Sequence, residues 1–420
     1  MSWERFIQIN NSFKLVKNNI DFNKAIAHNI LNVAYFKPPS YYTIFKSFFK
    51  SLDVKEFVTN FNLHKNVYTC FVDRIDHIAL VKSCRADVPN SILLQSQIFK
   101  PKLKISIKNI FMSIHTLKKA RQLKIDIKSK LYLASQLCYN LNVENALKNE
   151  LIKRRSKFTN HSYIALISSY GIENLFSQVI NHNSTIRTYS LSHGVSYINY
   201  NQQKPLDYIN GFNICSQYVI VWGKSSKDDL IKNFNFPQEK ILVGGNPKYP
   251  SKKINLKTEF KSCIVLLPRE IYDKSNIELL ELIAEYKKNN SVKVSVKLHP
   301  SLNYQKYEGI TKQFGFEICS KNYSLIDELC SDKYDFAIAY NTTAYYEAMY
   351  FNLFCLRYAM NENELFDGLE DKFSTVSDLD YIIKQFKRID ASIVDKQATK
   401  LLEATLGMGI NNYAKILNSK

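Results

Sequence analysis

No stretch of the 420-residue chain approaches the roughly 18–20 unbroken apolar residues that a membrane-spanning helix needs. The opening residues, MSWERFIQINNSFKLVKNN, lack an apolar signal core and a small-residue cleavage site. The expectation is a cytoplasmic protein, or one peripheral on the inner face of a membrane. The eight cysteines (Cys70, Cys84, Cys138, Cys215, Cys263, Cys319, Cys330 and Cys355) form no CxxC pair. That excludes zinc spacing, and in a chain this long it argues for reduced, mostly buried thiols. HExxH, GxSxG and a P-loop are absent, and LGMGIN, near the C-terminus and after a helix, is no dinucleotide fingerprint. SDLD contains a DxD pattern, but Ser377 and Asp380 read as a helix start rather than a metal site. Neither an internal repeat nor a low-complexity linker is visible, and no nucleic-acid motif occurs.

What is present begins with charge. Lys and Arg number 57 against 38 Asp and Glu, a net +19. Between Lys100 and Lys130 ten basic residues face one acid, Asp126. Such a block is a solvated helix face, or it holds an anionic membrane or glycan; nucleic acid is the weakest of these readings. Hydrophobic content of 45% and aromatic content of 13% suffice for packed cores, and the length suits two domains.

The order of elements suggests how those domains are built. A first strand is expected near Val67–Val72, and helical periodicity over 103–155. Then Tyr163–Ser168, Ile172–Ile180 and Ile186–Leu191 read as strand, helix and strand, a βαβ unit with parallel strands. A second series starts after Cys215: SQYVIVWG, KILVGG, SCIVLLP, SVKVSVKL and YDFAIAY are strands separated by helices. The fold class expected is α/β with two doubly wound, Rossmann-like halves. The division is placed at residues 1–215, 216–385, and 386–420 as closing helices that pack back on the first half.

In open parallel sheets, ligands bind beyond the carboxyl ends of the strands. The second series puts Arg269 and Glu270 there after CIVLLP, and His299 and Pro300 after VKVSVKL. It also puts Asn341, Thr342 and Thr343 after DFAIAY, and Asn246 and Pro247 after KILVGG. A cation, an imidazole, two hydroxyls and a helix start suit an anion, most naturally a phosphate. Asn341 or Thr342 would serve equally as a plain N-cap. His299 stands on the polar side of an alternating strand, and Pro300 restricts the turn after it. An imidazole there can donate to a phosphate leaving group, or protonate it near neutral pH. Glu347, one turn into the next helix, either reaches a ribose hydroxyl or is a surface charge.

The first half has a matching edge. TYSLSHGVSY ends a strand at Ser192, His193 and Gly194, and Gly194 would let backbone approach a ligand closely. With the halves facing each other, His193 and His299 line one cleft. Glu173, at a helix start, is a candidate general base on an acceptor hydroxyl, or is favoured there by the helix dipole alone. Asp73 and Asp76 of VDRIDH are rivals for that role.

YSLSHGVS, VWGKSSKDDL, KILVGGNP, VKLHPS and AYNTTAYYEAM, in this order, resemble GT-B glycosyltransferases of bacterial surface polysaccharides. The likeness is to sialyl-, polysialyl- and other nonulosonic-acid transferases and to CDP-glycerol glycerophosphotransferases. It covers roughly residues 160–360; the first 150 residues add no recognisable likeness to it. It implies two facing domains with the nucleotide held mainly by the second, and inverting transfer from a CMP-activated sugar without a metal or other cofactor. It also implies a glycan or lipid-linked acceptor of capsule or lipopolysaccharide type, at the bacterial cytoplasmic membrane. His299 would then contact the departing phosphate, as would Thr342 and Thr343. The family's base is an N-domain carboxylate; no clear copy of that motif is present, so Glu173 is a choice among acids. The alternatives are a CDP-glycerol or sugar-diphosphonucleotide transferase, and an epimerase or non-catalytic protein on the same scaffold.

Overall fold

The computed structural model describes residues 3–35, 37–72, 74–154, 158–166, 171–195, 208–359 and 368–418. Twelve strands, numbered in chain order, form its two main sheets. The first holds β1 (Asn66–Cys70), β2 (Ser91–Gln95), β3 (Ser162–Leu166), β4 (Arg187–Leu191), β5 (Tyr218–Val221) and β6 (Ile241–Val243). The second holds β7 (Ser262–Leu266), β8 (Lys293–Lys297), β9 (Glu317–Ile318), β10 (Phe336–Ala339), β11 (Phe354–Tyr358) and β12 (Lys372–Phe373). The strand orders are 2-1-3-4-5-6 and 9-8-7-10-11-12, and every neighbouring pair is parallel. The expected architecture of two parallel α/β halves is therefore present. Each order reverses direction once, between β1 and β3 and between β7 and β10, which opens a crevice at the carboxyl edge.

Side-chain alternation explains why these strands are apolar throughout. In β3, Tyr163 and Ala165 enter one core while Ile164 and Leu166 enter another. The first core lies under the N-terminal helices and the long helix Ile127–Lys153. The second runs from β1 and β4 through Trp222 into the β7–β11 sheet and the closing helices, so one hydrophobic body joins both halves. Both faces of the first sheet are covered, as parallel sheets require.

Several expectations need correction. β5 and β6 hydrogen-bond into the first sheet, so the change of sheet falls between Val243 and Ser262, not at residue 215. Asn246 and Pro247 consequently follow a strand of the first sheet and leave the ligand set of the second. The 103–155 stretch is two helices, Ile107–Lys119 and Ile127–Lys153. The break lies just before Asp126, whose carboxylate caps the second by accepting from the Ser129 N–H at 2.9 Å. SDLD lies in the first turn of the helix Val376–Phe386, which is indeed capped, but by a Thr375–Asp378 box, while Asp380 pairs with Lys384. Six of the eight cysteines are buried, and all are free.

The closing helices do return to the first half. Gly409 and Asn412 N–H groups donate to the carbonyls of Tyr249 and Gly244, each at 3.0 Å, and the Tyr413 hydroxyl donates to the Gly245 carbonyl at 2.7 Å. Gly245 has φ +84°, and a Cβ there would lie 1.9 Å from the Ile410 carbonyl oxygen. Gly245→Ala should therefore destabilise the fold by about 2 kcal/mol or more, read by urea denaturation. Unchanged stability would mean that this seam is not tightly packed.

Candidate active site

Parallel pairing brings the carboxyl ends of β8, β7 and β10 side by side, so Arg269 stands between His299 and the Asn341–Thr343 loop. His299 and Thr342 thus follow strands that have one strand, β7, between them. Arg269 and the threonines flank the β7/β10 reversal, where Tyr272 and Tyr340 meet edge to face at 5.5 Å. Asn341 adopts φ 40°. Thr342 Oγ1 accepts the Ala344 N–H at 3.3 Å and keeps its own O–H to donate. Thr343 occupies the N-cap position of Ala344–Tyr350 without a side-chain capping bond.

His299 is half-buried, and its geometry selects one tautomer. Nδ1 accepts the Ser301 N–H at 3.1 Å and lies 2.9 Å from Ser301 Oγ. Ser301 Oγ itself accepts the Glu270 N–H at 3.2 Å, which leaves its O–H to point at Nδ1. A ring nitrogen that accepts carries no proton, so Nε2 bears the hydrogen. Burial, then the Arg269 and Arg74 guanidinium groups, lower the His299 pKa from 6.5 to about 4, against a smaller opposing effect of Asp76. The expectation that His299 can protonate a leaving group near neutral pH is therefore replaced: in the free protein it is a neutral donor. Pro300 is exposed in the turn between His299 and Ser301.

Arg74 and Asp76 belong to the first half, at the start of the helix Ile75–Arg85 after β1. Their charges act on His299, so the start of this helix lies near the carboxyl edge of β8. Arg74 grips Asp76 with Nε at 3.1 Å and Nη2 at 2.6 Å. Burial raises the Asp76 pKa, but the Arg74 bonds and charge outweigh it and the net shift is downward. His77 Nε2 lies 4.0 Å from Asp76, and the His77 ring meets that of His193 at 5.4 Å. The imidazole of His77 is buried and its pKa lowered, chiefly by desolvation. Arg74 and His77 were not singled out in the sequence; their signal was position, directly after the first strand in VDRIDH. Asp73 lies outside the described residues.

Glu173 requires a correction. It is 4% exposed, held by the Thr69 hydroxyl at 2.7 Å and by the N–H groups of Phe71 and Leu166. Burial pushes its pKa well above the usual carboxylate range despite those donors. It braces the ends of β1 and β3 from inside the core instead of facing the cleft. Glu347 accepts a short hydrogen bond from the Tyr249 hydroxyl, and burial raises its pKa. Ser192 N–H extends the sheet by donating to Ile220 at 2.9 Å. A Cβ at Gly194 would meet nothing within 4 Å, so this glycine borders open space without being required by its backbone. Among the described residues no three His, Cys, Asp or Glu side chains form a metal-holding group.

Titrating the His299 ring by NMR should give a midpoint near pH 4 in the free protein. With the folded pKa below the unfolded 6.5, its contribution to stability is complete above pH 6.5 and is lost as pH falls toward 4. A midpoint near 6.5 would contradict the burial of the ring and the action of the Arg269 and Arg74 charges on it.

No protein-family model matches the chain, and a search of curated proteins returns no match. Solved structures do resemble it. A point mutant of Staphylococcus aureus TarM, in complex with fondaparinux, α-GlcNAc-glycerol and UDP, is 14% identical with a TM-score of 0.43, over 66% of this chain and 59% of its own. The lipopolysaccharide outer core galactosyltransferase WaaB is 12% identical with a TM-score of 0.44, over 84% and 97%. UDP-GlcNAc 2-epimerase from Neisseria meningitidis, bound to UDP-GlcNAc, is 13% identical at 0.44, also over 84% and 97%. At such scores they assign no activity, and a resemblance to sialyl- or CDP-glycerol transferases is not shown by them. The chain's own strand order shows the expected α/β class, with two parallel six-stranded sheets.

Proposed function

We propose that the protein is a glycosyltransferase that moves a sugar from a nucleotide-activated donor to a glycan or lipid-linked glycan acceptor. What supports this reading is the strand order, which puts His299, Arg269 and Thr342–Thr343 on the carboxyl edges of three adjacent strands, together with the Asp76 and Arg74 charges of the first half that act on His299. Those groups suit a phosphate on which negative charge develops as the sugar–oxygen bond breaks. Asp76 is the base we assign in place of Glu173: its carboxylate is ionised, and an anionic donor that draws Arg74 away would leave it free to take the acceptor proton. Attack from the Asp76 side, opposite the phosphate, gives inversion at the anomeric carbon without a metal.

For the donor we propose a CMP-activated nonulosonic acid; the order of the His-Pro and Thr-Thr motifs supports it. The alternative, a diphosphonucleotide donor such as CDP-glycerol or a UDP-sugar, is favoured by the two-strand span between His299 and Thr342, which also accommodates two phosphates.

Melting the protein with CMP, CDP, UDP and GDP discriminates between them, since a nucleotide bound only by the folded state raises the midpoint. CMP acting at least as strongly as CDP supports the first donor; preference for a diphosphate supports the second, and no shift with any opposes both. In transfer assays His299→Ala and Asp76→Asn should each cost about 100-fold or more in kcat, with nucleotide binding largely kept in Asp76→Asn. Glu173→Gln, a neutral isostere of a protonated acid, should stay within about threefold of wild type. Loss of activity in Glu173→Gln with Asp76→Asn active would return the base role to Glu173.

A further inference from the structure

Large apolar side chains left in water are normally scattered singly. Here Tyr42, Phe45, Leu103, Ile107, Phe111 and Ile127 are each at least 55% exposed and fall in two short, adjoining segments. The helices Tyr41–Phe48 and Ile107–Lys119 both pack inward on Ile127–Lys153, around Ile44, Phe48, Ala134 and Cys138. A two-stranded ribbon, Lys50–Leu52 against Pro101–Leu103, ties them together, and the Lys104 N–H continues it to the Phe49 carbonyl at 2.8 Å. Their inner faces are thus occupied. What points outward on the second helix is Ile107, Phe111 and Ile114, spaced i, i+4, i+7 in one stripe.

Lysines border this stripe. Lys108, Lys118 and Lys119 are exposed on the same helix, and Lys102 and Lys104 on the ribbon. Lys46 lies over the Tyr42 ring at 5.7 Å and Lys128 over Tyr41 at 5.4 Å. Among the described residues none of the ten basic side chains from Lys100 to Lys130 forms a salt bridge, and Asp126 is engaged as a helix cap.

We propose that this face docks on an anionic lipid bilayer, with the aromatic and aliphatic stripe at the depth of the headgroup–acyl boundary and the lysines on lipid phosphates. Charge complementarity selects an anionic partner. Exposed Leu103, Ile107 and Ile114 select lipid among anions, because branched aliphatic groups offer nothing to a nucleobase or a soluble polyanion. The ribbon strand follows the carboxyl end of β2, the sheet edge that also carries Arg74 and Asp76. A lipid-borne acceptor would thus arrive on the cleft side. Docking needs neither donor nor acceptor, so it stands or falls apart from the transferase reading.

The test is sedimentation of the full chain with vesicles of phosphatidylcholine alone or mixed with phosphatidylglycerol. Binding is expected only to the mixed vesicles, weakening as salt rises. The Phe45→Ser/Phe111→Ser variant should bind at least about tenfold more weakly, and Lys102→Glu/Lys104→Glu/Lys108→Glu about a hundredfold more weakly. Both should melt as wild type, since all five side chains are exposed. No binding, equal binding to neutral vesicles, binding unaffected in both variants, or a dimer that these substitutions dissociate would each overturn the proposal.

Discussion

An imidazole nitrogen that accepts hydrogen bonds cannot also hold a proton, and the rest of the site depends on that constraint. Ser301 occupies Nδ1 of His299 twice, through its N–H and its hydroxyl, and the Glu270 N–H orients that hydroxyl. The ring is left with one polar hydrogen, on Nε2. Desolvation and the guanidinium groups of Arg269 and Arg74 keep it neutral, so the tautomer and the charge state have separate causes that agree. A neutral donor beside an arginine can meet a phosphate without first shedding or gaining a proton. An arriving anion would then raise the ring's proton affinity, and the hydrogen bond would strengthen as charge builds on the leaving group.

That arrangement has meaning only if the two carboxyl edges face each other, and the C-terminal segment sets this. Residues 409–413 bind the 244–249 loop by backbone and side-chain hydrogen bonds, and Gly245 allows the contact. The shared hydrophobic body, which runs from β1 through Trp222 to Leu402 and Tyr413, gives the seam an apolar interior. Opposition of Asp76 and His299 is therefore a property of the chain's end as much as of its two sheets.

The strands of the second sheet and their terminal residues were legible in the sequence because both faces of that sheet are buried, and apolar runs ending in Pro, Asn or Thr mark where each strand stops. Thr342, Thr343, Arg269 and His299 share an edge for that reason. The domain division was not legible. β5 and β6 look like any other parallel strands, and which sheet they join is decided by pairing across distant residues. Glu173 misled because a glutamate at a helix start reads the same whether it faces a cleft or a core; only packing against Thr69 and Tyr163 separates the two. His77 carried no periodic signal, and its significance comes from Asp76 and His193, the latter more than a hundred residues away. The stripe Ile107–Phe111–Ile114 resembles an ordinary buried helix face until the structure shows which side the long helix covers.

The most direct measurement is NMR of the protein labelled with 15N at histidine, following the His299 Nε2–H signal as nucleotide is added. A phosphate held jointly by His299 and the threonine pair should move that signal, and the change should be much smaller in Thr342→Ala/Thr343→Ala. A proton found on Nδ1, or an Nε2–H signal indifferent to every nucleotide, would contradict the account.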